Sequence, residues 1–236
     1  MKILALDSTA KTASVSICDD ERLITVYSVT AGLNHSETLL PMIENALKTS
    51  QMNIDDIDMF AISDGPGSFT GVRIGVSLLK GLSFGKNKIC VGVSTLEALA
   101  YNLKGYMGII CPVMDARRDQ VYNALFLSDE TGIKRLCDDR AISISELDEE
   151  LKEKAMQGHN VYLCGDGYDL VKSVIKTDTE DTSVLLREQN AYSIAQVALK
   201  KYNENKDGEY TDRALKPTYL RVPQAERERL ERLNNK

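Results

Sequence analysis

The chain has 236 residues, of which 43% are hydrophobic and 27% are charged, and its formal net charge is −6. This charge argues against a broad nucleic-acid footprint of its own, and the absence of any apolar run of about 18 residues excludes a predicted transmembrane helix. Five scattered cysteines and an N-terminus unlike a signal peptide predict a cytoplasmic protein with buried, reduced thiols.

The first half of the sequence alternates strand and helix patterns after an opening β-meander. Residues rich in Val, Ile and Thr predict strands at Lys2–Asp7, Ala13–Cys18 and Leu23–Val29. Apolar residues at helical spacing then predict a helix that includes Leu39 to Leu47. The later elements predicted here are a strand at Met59–Ser63, a helix at Phe69–Gly85, a strand at Ile89–Val93 and a helix at Ser94–Leu103.

A second unit begins near Lys104-Gly105, and it also starts with strands. Its predicted strands are Met107–Val113, Gln120–Leu127, Ile133–Leu136 and Val161–Cys164, and its predicted helices start at Ser145 or cover Tyr168–Ile175 and Asn190–Tyr202. A polar linker at Asn203–Asp212, an extended segment at Pro217–Arg221 and a charged tail at Ala225–Lys236 follow. We therefore predict an N-terminal lobe of residues 1–104, to which residues 213–236 return, and a C-terminal lobe of residues 105–212.

The most distinctive motif is a glycine-rich turn that leads into a helix. It reads Asp64-Gly65-Pro66-Gly67-Ser68-Phe69-Thr70-Gly71-Val72-Arg73-Ile74-Gly75. Backbone N–H groups at a helix start attract phosphate, although the spacing matches neither a P-loop nor a Rossmann fingerprint. With the turn after the first strand, it supplies the candidate phosphate contacts Asp7, Ser8, Thr9, Gly65, Gly67 and Ser68. The alternative is that Asp7 caps its turn and the hydroxyls satisfy backbone groups.

Gly71 and Gly75 lie inside the predicted helix, where a glycine costs about 1 kcal/mol relative to alanine. Such a cost is acceptable where another backbone approaches closely, either the chain's own or a partner's. The sequence leaves both alternatives open.

Asp115-Ala116-Arg117-Arg118-Asp119 is a third polar turn after an apolar strand. Arg117 and Arg118 are candidates to bind a phosphate, RNA or a partner's carboxylates, and the alternative is a solvated hairpin turn. We predict no catalytic constellation and no metal site. The sequence has two histidines, and Leu39 stands four residues after His35, where a helical metal pair would need a second one.

The glycine-rich string closely resembles the TsaB (YeaZ) family of bacterial tRNA-modification proteins. Three further segments carry the same resemblance, which extends from Met1 to about Arg221: Ile3-Leu4-Ala5-Leu6-Asp7-Ser8-Thr9, Asp115-Ala116-Arg117-Arg118 with Val121-Tyr122, and Pro217-Thr218-Tyr219-Leu220-Arg221. The helix that begins at His35 also resembles the family's His-led helix. Residues 129–181 carry no family motif.

The resemblance implies an actin-like α/β fold (the ASKHA or ribonuclease H-like class) with two lobes, each built on a mixed β-sheet flanked by helices. It also implies a non-catalytic role in making threonylcarbamoyladenosine at position 37 of tRNAs that read codons beginning with A. In this pathway TsaD is the transferase, with which TsaB pairs, and the ATPase TsaE joins them in an ATP-dependent assembly. Without TsaD a homodimer is expected, and tRNA contact is expected to be indirect.

By the same resemblance, the first two helices would form the surface that meets TsaD or a second copy. The interface residues predicted on this basis are His35, Leu39, Met42, Phe69, Gly71, Val72, Arg73, Gly75, Val76 and Leu79. No cofactor of its own is expected, although ATP or ADP is a candidate ligand at the partner junction. The main alternative is an actin-like ATPase or sugar kinase that uses Asp7 and the Gly65–Ser68 turn. A peptidase lacks a nucleophile–base pair in this sequence.

Overall fold

The computed structural model describes residues 1–221, and the predicted tail at Ala225–Lys236 lies outside the described residues. Within residues 1–221, none of the helices combines the length and the hydrophobicity that a membrane crossing requires. Two β-sheets flanked by helices make up this part of the chain.

The first sheet has five strands in the order β3-β2-β1-β4-β5. They are β1 (Lys2–Asp7), β2 (Ala13–Asp19), β3 (Arg22–Val29), β4 (Met59–Gly65) and β5 (Ile89–Ser94). The first three strands are antiparallel neighbours, which confirms the predicted meander, whereas β4 and β5 run parallel to β1. Since Leu6 of β1 lies opposite Ile62 of β4, the turns that follow these two strands meet at one edge of the sheet.

Seven α-helices accompany the strands of the described chain. They are α1 (His35–Thr49), α2 (Phe69–Ser83), α3 (Thr95–Tyr101), α4 (Ile144–Met156), α5 (Tyr168–Lys172), α6 (Val184–Arg187) and α7 (Ala191–Glu204). Asn34 caps α1 and Ser68 caps α2 through side-chain oxygens that accept from backbone N–H groups of the first turn. Helices α1 and α2 pack on one face of the first sheet, over a core that includes Phe60 and Ile62.

Helix α7 lies on the opposite face of the first sheet, which differs from the prediction. It contacts β1, β2, β4 and β5, and small residues such as Ala195 and Ala198 allow a close approach to Ala5 and Ala61. The predicted lobe boundaries stay a prediction, but residues 191–204 lie with the first sheet rather than with the C-terminal lobe. Amphipathic spacing predicts such a helix without indicating which of two sheets its apolar face will cover.

The second sheet has six strands, with the order β10-β7-β6-β8-β9 and with β11 also paired to β6. They are β6 (Gly108–Asp115), β7 (Gln120–Asn123), β8 (Phe126–Asp129), β9 (Gly132–Arg135), β10 (Arg140–Ser143) and β11 (Val161–Cys164). The prediction of one strand over Gln120–Leu127 is wrong, because β7 and β8 pair with β6 in one register but are interrupted at residues 124–125.

Pro112 explains this interruption, because it has no N–H group to donate across the sheet at that point. The buried side chain of Asn123 instead donates from Nδ2 to the carbonyl oxygens of Pro112 and Ala124, both at 3.0 Å. Helix α3 packs between the two sheets, where Leu96 and Leu99 share a core with Ile110 and Phe126. The structure confirms the predicted α/β class, with two mixed β-sheets that are each flanked by helices.

Candidate functional site: the inter-lobe cleft and the outer surface of helices α1 and α2

Asp7 is buried at the end of β1, and the chain itself uses both of its carboxylate oxygens. Oδ1 accepts from the Thr9 backbone N–H at 2.7 Å and from the Thr9 hydroxyl at 2.8 Å, while Oδ2 accepts from the Ser63 hydroxyl at 2.8 Å. Burial raises the pKa of Asp7, and the hydrogen bonds from Thr9 and Ser63 oppose that rise. Asp7 therefore organises its own turn in this structure.

The glycines of the motif make room for that turn. The Ser68 backbone N–H donates to the Thr9 carbonyl at 2.7 Å, and a Cβ added at Gly67 would lie 2.5 Å from the same oxygen. A Cβ at Gly71 would collide with the Ser8 carbonyl oxygen, and one at Gly75 would collide with the Ser8 hydroxyl. The close approach that interior glycines indicate is thus made by the chain's own Ser8, through its backbone at Gly71 and its side chain at Gly75.

Seven of the ten predicted interface residues are buried inside the chain and require correction. Their side chains or α-carbons lie in the core between the two helices and the first sheet, so a partner outside the chain cannot contact them. These residues are Leu39, Met42, Gly71, Val72, Gly75, Val76 and Leu79. The prediction placed Val72, Val76 and Leu79 on the outer face of α2, whereas in the structure these residues face the first sheet. Of the other three, His35 is half-buried with Nε2 2.7 Å from the Ala10 carbonyl oxygen, Phe69 is half-buried and Arg73 is exposed.

The outer surface of the two helices instead carries apolar residues that the sequence reasoning missed. We define the docking face as five apolar residues that are not fully buried: Leu40 on α1, Ile74 and Leu78 on α2, Leu33 just before α1 and Phe84 just after α2. Ile74 and Leu78 also pack against the core of the first sheet. Phe84 is 77% exposed, Leu33 56% and Leu40 41%, while Ile74 and Leu78 are half-buried. Beside them on α2, a Cβ added at Gly81 would meet no atom within 4 Å, so intramolecular packing does not require this glycine. The second apolar stripe of α2, Ile74 and Leu78, is the sequence signal that could have revealed this surface.

A cleft of about 550 Å³ lies between the two lobes. It is lined by Thr9 and Lys11 of the β1–β2 turn, by the Pro66–Thr70 segment and, on the other lobe, by Asp115, Arg117, Tyr122 and Asp166. Residues 218–221 complete the lining. The cleft therefore brings together turns that the sequence singled out separately as candidate anion contacts.

The segment of residues 215–221 contacts both lobes, and its last four residues line the cleft. Leu215 is buried in the core of the first sheet, and the Thr218 backbone N–H donates to the Asp64 carbonyl at 2.7 Å. The Arg221 guanidinium donates to the Ala116 carbonyl at 2.6 Å and to the Gln120 side-chain oxygen at 2.5 Å. The C-terminal motif predicted as extended thus ties the first lobe to the turn that carries Arg117.

Tyr219 of the same segment belongs to an aromatic and cationic cluster at the start of α2. Its ring lies 4.8 Å from that of Phe69, and the Arg73 guanidinium lies 3.7 Å from the centre of the Phe69 ring. Arg73 Nε donates to the Tyr219 hydroxyl at 2.8 Å. The predicted residues Phe69 and Arg73 are therefore placed together at the cleft, along with a tyrosine that the sequence reasoning did not assign.

Arg117 and Arg118 are exposed on the β6–β7 turn, where both adopt left-handed backbone conformations with φ of 63° and 57°. The Asp115 carboxylate accepts from the Arg117 backbone N–H at 2.6 Å. On the same wall of the cleft, enclosure by the surrounding protein and the nearby charges of Glu188 and Asp115 raise the pKa of Asp166, although part of its side chain stays exposed to solvent. Arg117 lines the cleft and Arg118 does not.

A second, smaller cleft of about 320 Å³ lies near the carboxyl ends of β4 and β5. The Asp64 carboxylate packs against the α-carbon of Gly92, and Lys201 Nζ donates to the Gly92 carbonyl at 2.7 Å. Burial raises the pKa of Asp64 to about 7, against the opposing effect of Lys201. Within residues 1–221, no three His, Cys, Asp or Glu side chains are grouped so that they could hold a metal ion.

Comparison with known proteins identifies the family. The family model described as tRNA N6-adenosine threonylcarbamoyltransferase (TsaD) matches residues 26–228. The tRNA threonylcarbamoyladenosine biosynthesis proteins TsaB of Bacillus subtilis and Escherichia coli are 34% and 36% identical over 154 and 135 residues, which are 65% and 56% of this chain. These segments cover 67% of the first relative and 58% of the second.

A solved structure, YeaZ from Pseudomonas aeruginosa, shares the fold with a TM-score of 0.75 and 21% identity, over 93% of this chain and 99% of that one. The similarity of sequence and the similarity of fold thus indicate the same group of proteins. The chain belongs to the TsaB (YeaZ) family of tRNA threonylcarbamoyladenosine biosynthesis proteins.

Proposed function

We propose that this chain is a non-catalytic, cytoplasmic subunit that pairs with a TsaD-type transferase and activates it for threonylcarbamoyl transfer to adenosine 37 of tRNA. The proposal includes an ATP-dependent assembly with a TsaE-type ATPase, and a homodimer where the transferase is absent. The chain would hold no cofactor of its own, with ATP or ADP a candidate ligand at the partner junction.

The docking face is the observation that carries this proposal. Phe84 and Leu33 expose more than half of their side-chain surface, and Leu40 exposes 41%, next to helices whose inner faces are fully packed. Burial of apolar surface contributes about 25 cal/mol per Å², so a standard interface of about 800 Å² per partner could hold two chains together without a ligand. Gly81 would let a partner's backbone approach α2 closely, since no atom of this chain occupies that space.

The geometry of the first turn supports a subunit without its own chemistry over the ATPase alternative. Asp7 already accepts three hydrogen bonds from Thr9 and Ser63, and the Gly67–Ser68 turn is packed against Thr9. An ATPase would need such a carboxylate to face the metal-bound phosphates of the nucleotide.

Reconstitution tests the proposal directly. Threonylcarbamoyl transfer to tRNA is measured with this chain alone, with the transferase alone, and with the two together and a TsaE-type ATPase. The expected result is no transfer by this chain alone and a large stimulation of the transferase when the chain is added. Transfer by the isolated chain, or an equal rate with and without it, would contradict the proposal.

A further inference from the structure

The cleft between the lobes combines three kinds of side chain that recognise an unpaired nucleotide. Proteins bind single-stranded nucleic acid by stacking bases on aromatic rings and by placing cations along the backbone. Their carboxylates accept hydrogen bonds from the amino groups of bases. All three kinds line this one cleft.

Aromatic rings supply the first requirement. Tyr219 is 40% exposed, and its ring packs at a tilt against the ring of Phe69, whose centre lies 4.8 Å away. The hydrogen bond from Arg73 to the Tyr219 hydroxyl fixes the orientation of this ring. Tyr122 lines the cleft from the other lobe. A base that enters the cleft therefore meets a tyrosine ring that is already ordered.

Cations supply the second requirement. Lys11, Arg117 and Arg221 line the cleft, although the whole chain has a net charge of −6. Arg221 is held in place by its hydrogen bonds to Ala116 and Gln120, so it would lose little conformational freedom on binding a phosphate. Lys11 is exposed and retains its flexibility.

Two carboxylates, Asp115 and Asp166, line the cleft wall formed by the second lobe. They supply acceptors for the exocyclic amino group of adenine or cytosine, which uracil lacks. They also reduce the positive charge of the cleft, because among residues 1–221 three cations then face two acids. This balance suits the single charge of one phosphodiester better than the several charges of a nucleoside triphosphate.

We propose that the cleft binds one unpaired nucleotide of RNA, with an adenine or cytosine base stacked on Tyr219 and its phosphate beside Lys11, Arg117 and Arg221. The choice of RNA over other nucleotides rests on the proposed function in tRNA modification. It gives this chain a direct contact with RNA, which the sequence raised as one alternative for Arg117, whereas the family resemblance implies an indirect contact with tRNA.

The proposal is tested by fluorescence anisotropy with the full chain at low and moderate salt. The labelled probes are RNAs of eight nucleotides: oligo(A), oligo(C) and oligo(U). We expect oligo(A) and oligo(C) to bind more tightly than oligo(U). Tyr219→Ala should weaken oligo(A) binding by about 10-fold, in line with the loss of one stacked base, while Tyr219→Phe keeps the ring and most of the affinity. Arg117→Ala should reduce the slope of log affinity against log salt by about 1.

Lys152→Ala, at an exposed position on α4, is the matched control and should leave binding unchanged. Equal oligo(A) affinity in the wild type and Tyr219→Ala would overturn the proposal. So would micromolar binding of AMP or ATP without RNA binding, which would indicate a mononucleotide site. Stimulation of the transferase by a chain that binds no RNA would refute this inference alone, whereas RNA binding without stimulation would refute only the proposed function.

Discussion

Replacing Gly71 with alanine tests whether the glycine motif serves the chain's own packing. The new Cβ would collide with the Ser8 carbonyl oxygen, which is backbone and cannot rotate away. Helix α2 would have to move off the turn after β1, which would disturb the hydrogen bond of 2.8 Å from the Ser8 hydroxyl to the Gly71 carbonyl. Val72 and Val76, buried on the same face of α2, would move with it.

The expected cost follows from two opposing effects. Overpacking of a well-packed site costs about 1–3 kcal/mol or more, and alanine recovers at most about 1 kcal/mol of helix propensity. We therefore expect Gly71→Ala to lower the free energy of unfolding by about 1–3 kcal/mol. For a chain of this length each kcal/mol corresponds to about 2–4 °C in Tm, so the midpoint should fall by about 2–12 °C.

Urea unfolding and thermal melts of Gly71→Ala and Gly81→Ala form a matched pair within one helix. A Cβ at Gly81 meets nothing within 4 Å, so that variant should gain about 0.5–1 kcal/mol. The reasoning would be refuted if Gly71→Ala were as stable as the wild type while Gly81→Ala was destabilised, because α2 would then present its opposite face to the sheet.

Two further outcomes concern buried polar groups. Because the pKa of Asp64 is raised from 3.8 to about 7, its contribution to stability is fully present below pH 4 and is lost as the pH rises to 7. The free energy of unfolding should therefore fall between pH 5 and pH 8. Urea unfolding at both pH values should show a smaller fall in Asp64→Asn than in the wild type. Asn123→Leu would remove the buried side-chain donor to the carbonyls of Pro112 and Ala124 and should cost about 2–4 kcal/mol in the same assay, whereas an unchanged midpoint would contradict that role.

The sequence predicts most of the strands and helices because their apolar patterns have clear periods. The meander of β1 to β3 and the glycine-rich turn that opens α2 both follow from local residues. The break between β7 and β8 is caused by Pro112 of the neighbouring strand β6, which has no N–H group to donate. The residues of β7 and β8 themselves therefore do not indicate it. Strand β10 and helix α6, each of four residues, are too short for a periodic signal.

The candidate site is predicted less completely because it depends on which face of each element points inward. Interior glycines indicate a close approach, yet only the structure places Ser8 rather than a partner against Gly71 and Gly75. Tyr219 illustrates the same difficulty. It lies 150 residues after Phe69 in the sequence, yet the centres of the two rings are 4.8 Å apart. Such contacts between distant segments leave no periodic trace in one sequence.

Affinity for the TsaD-type transferase, measured by calorimetry with variants of the docking face, tests the central claim most directly. Gly81→Arg and Phe84→Glu alter exposed positions and should leave the melting temperature near that of the wild type. Val184→Glu, at a 68% exposed apolar position on α6, is the matched control. We expect both docking-face variants to bind the transferase at least about 10-fold more weakly and the control to bind it normally. Wild-type affinity in both docking-face variants would contradict the assignment of this surface to the partner.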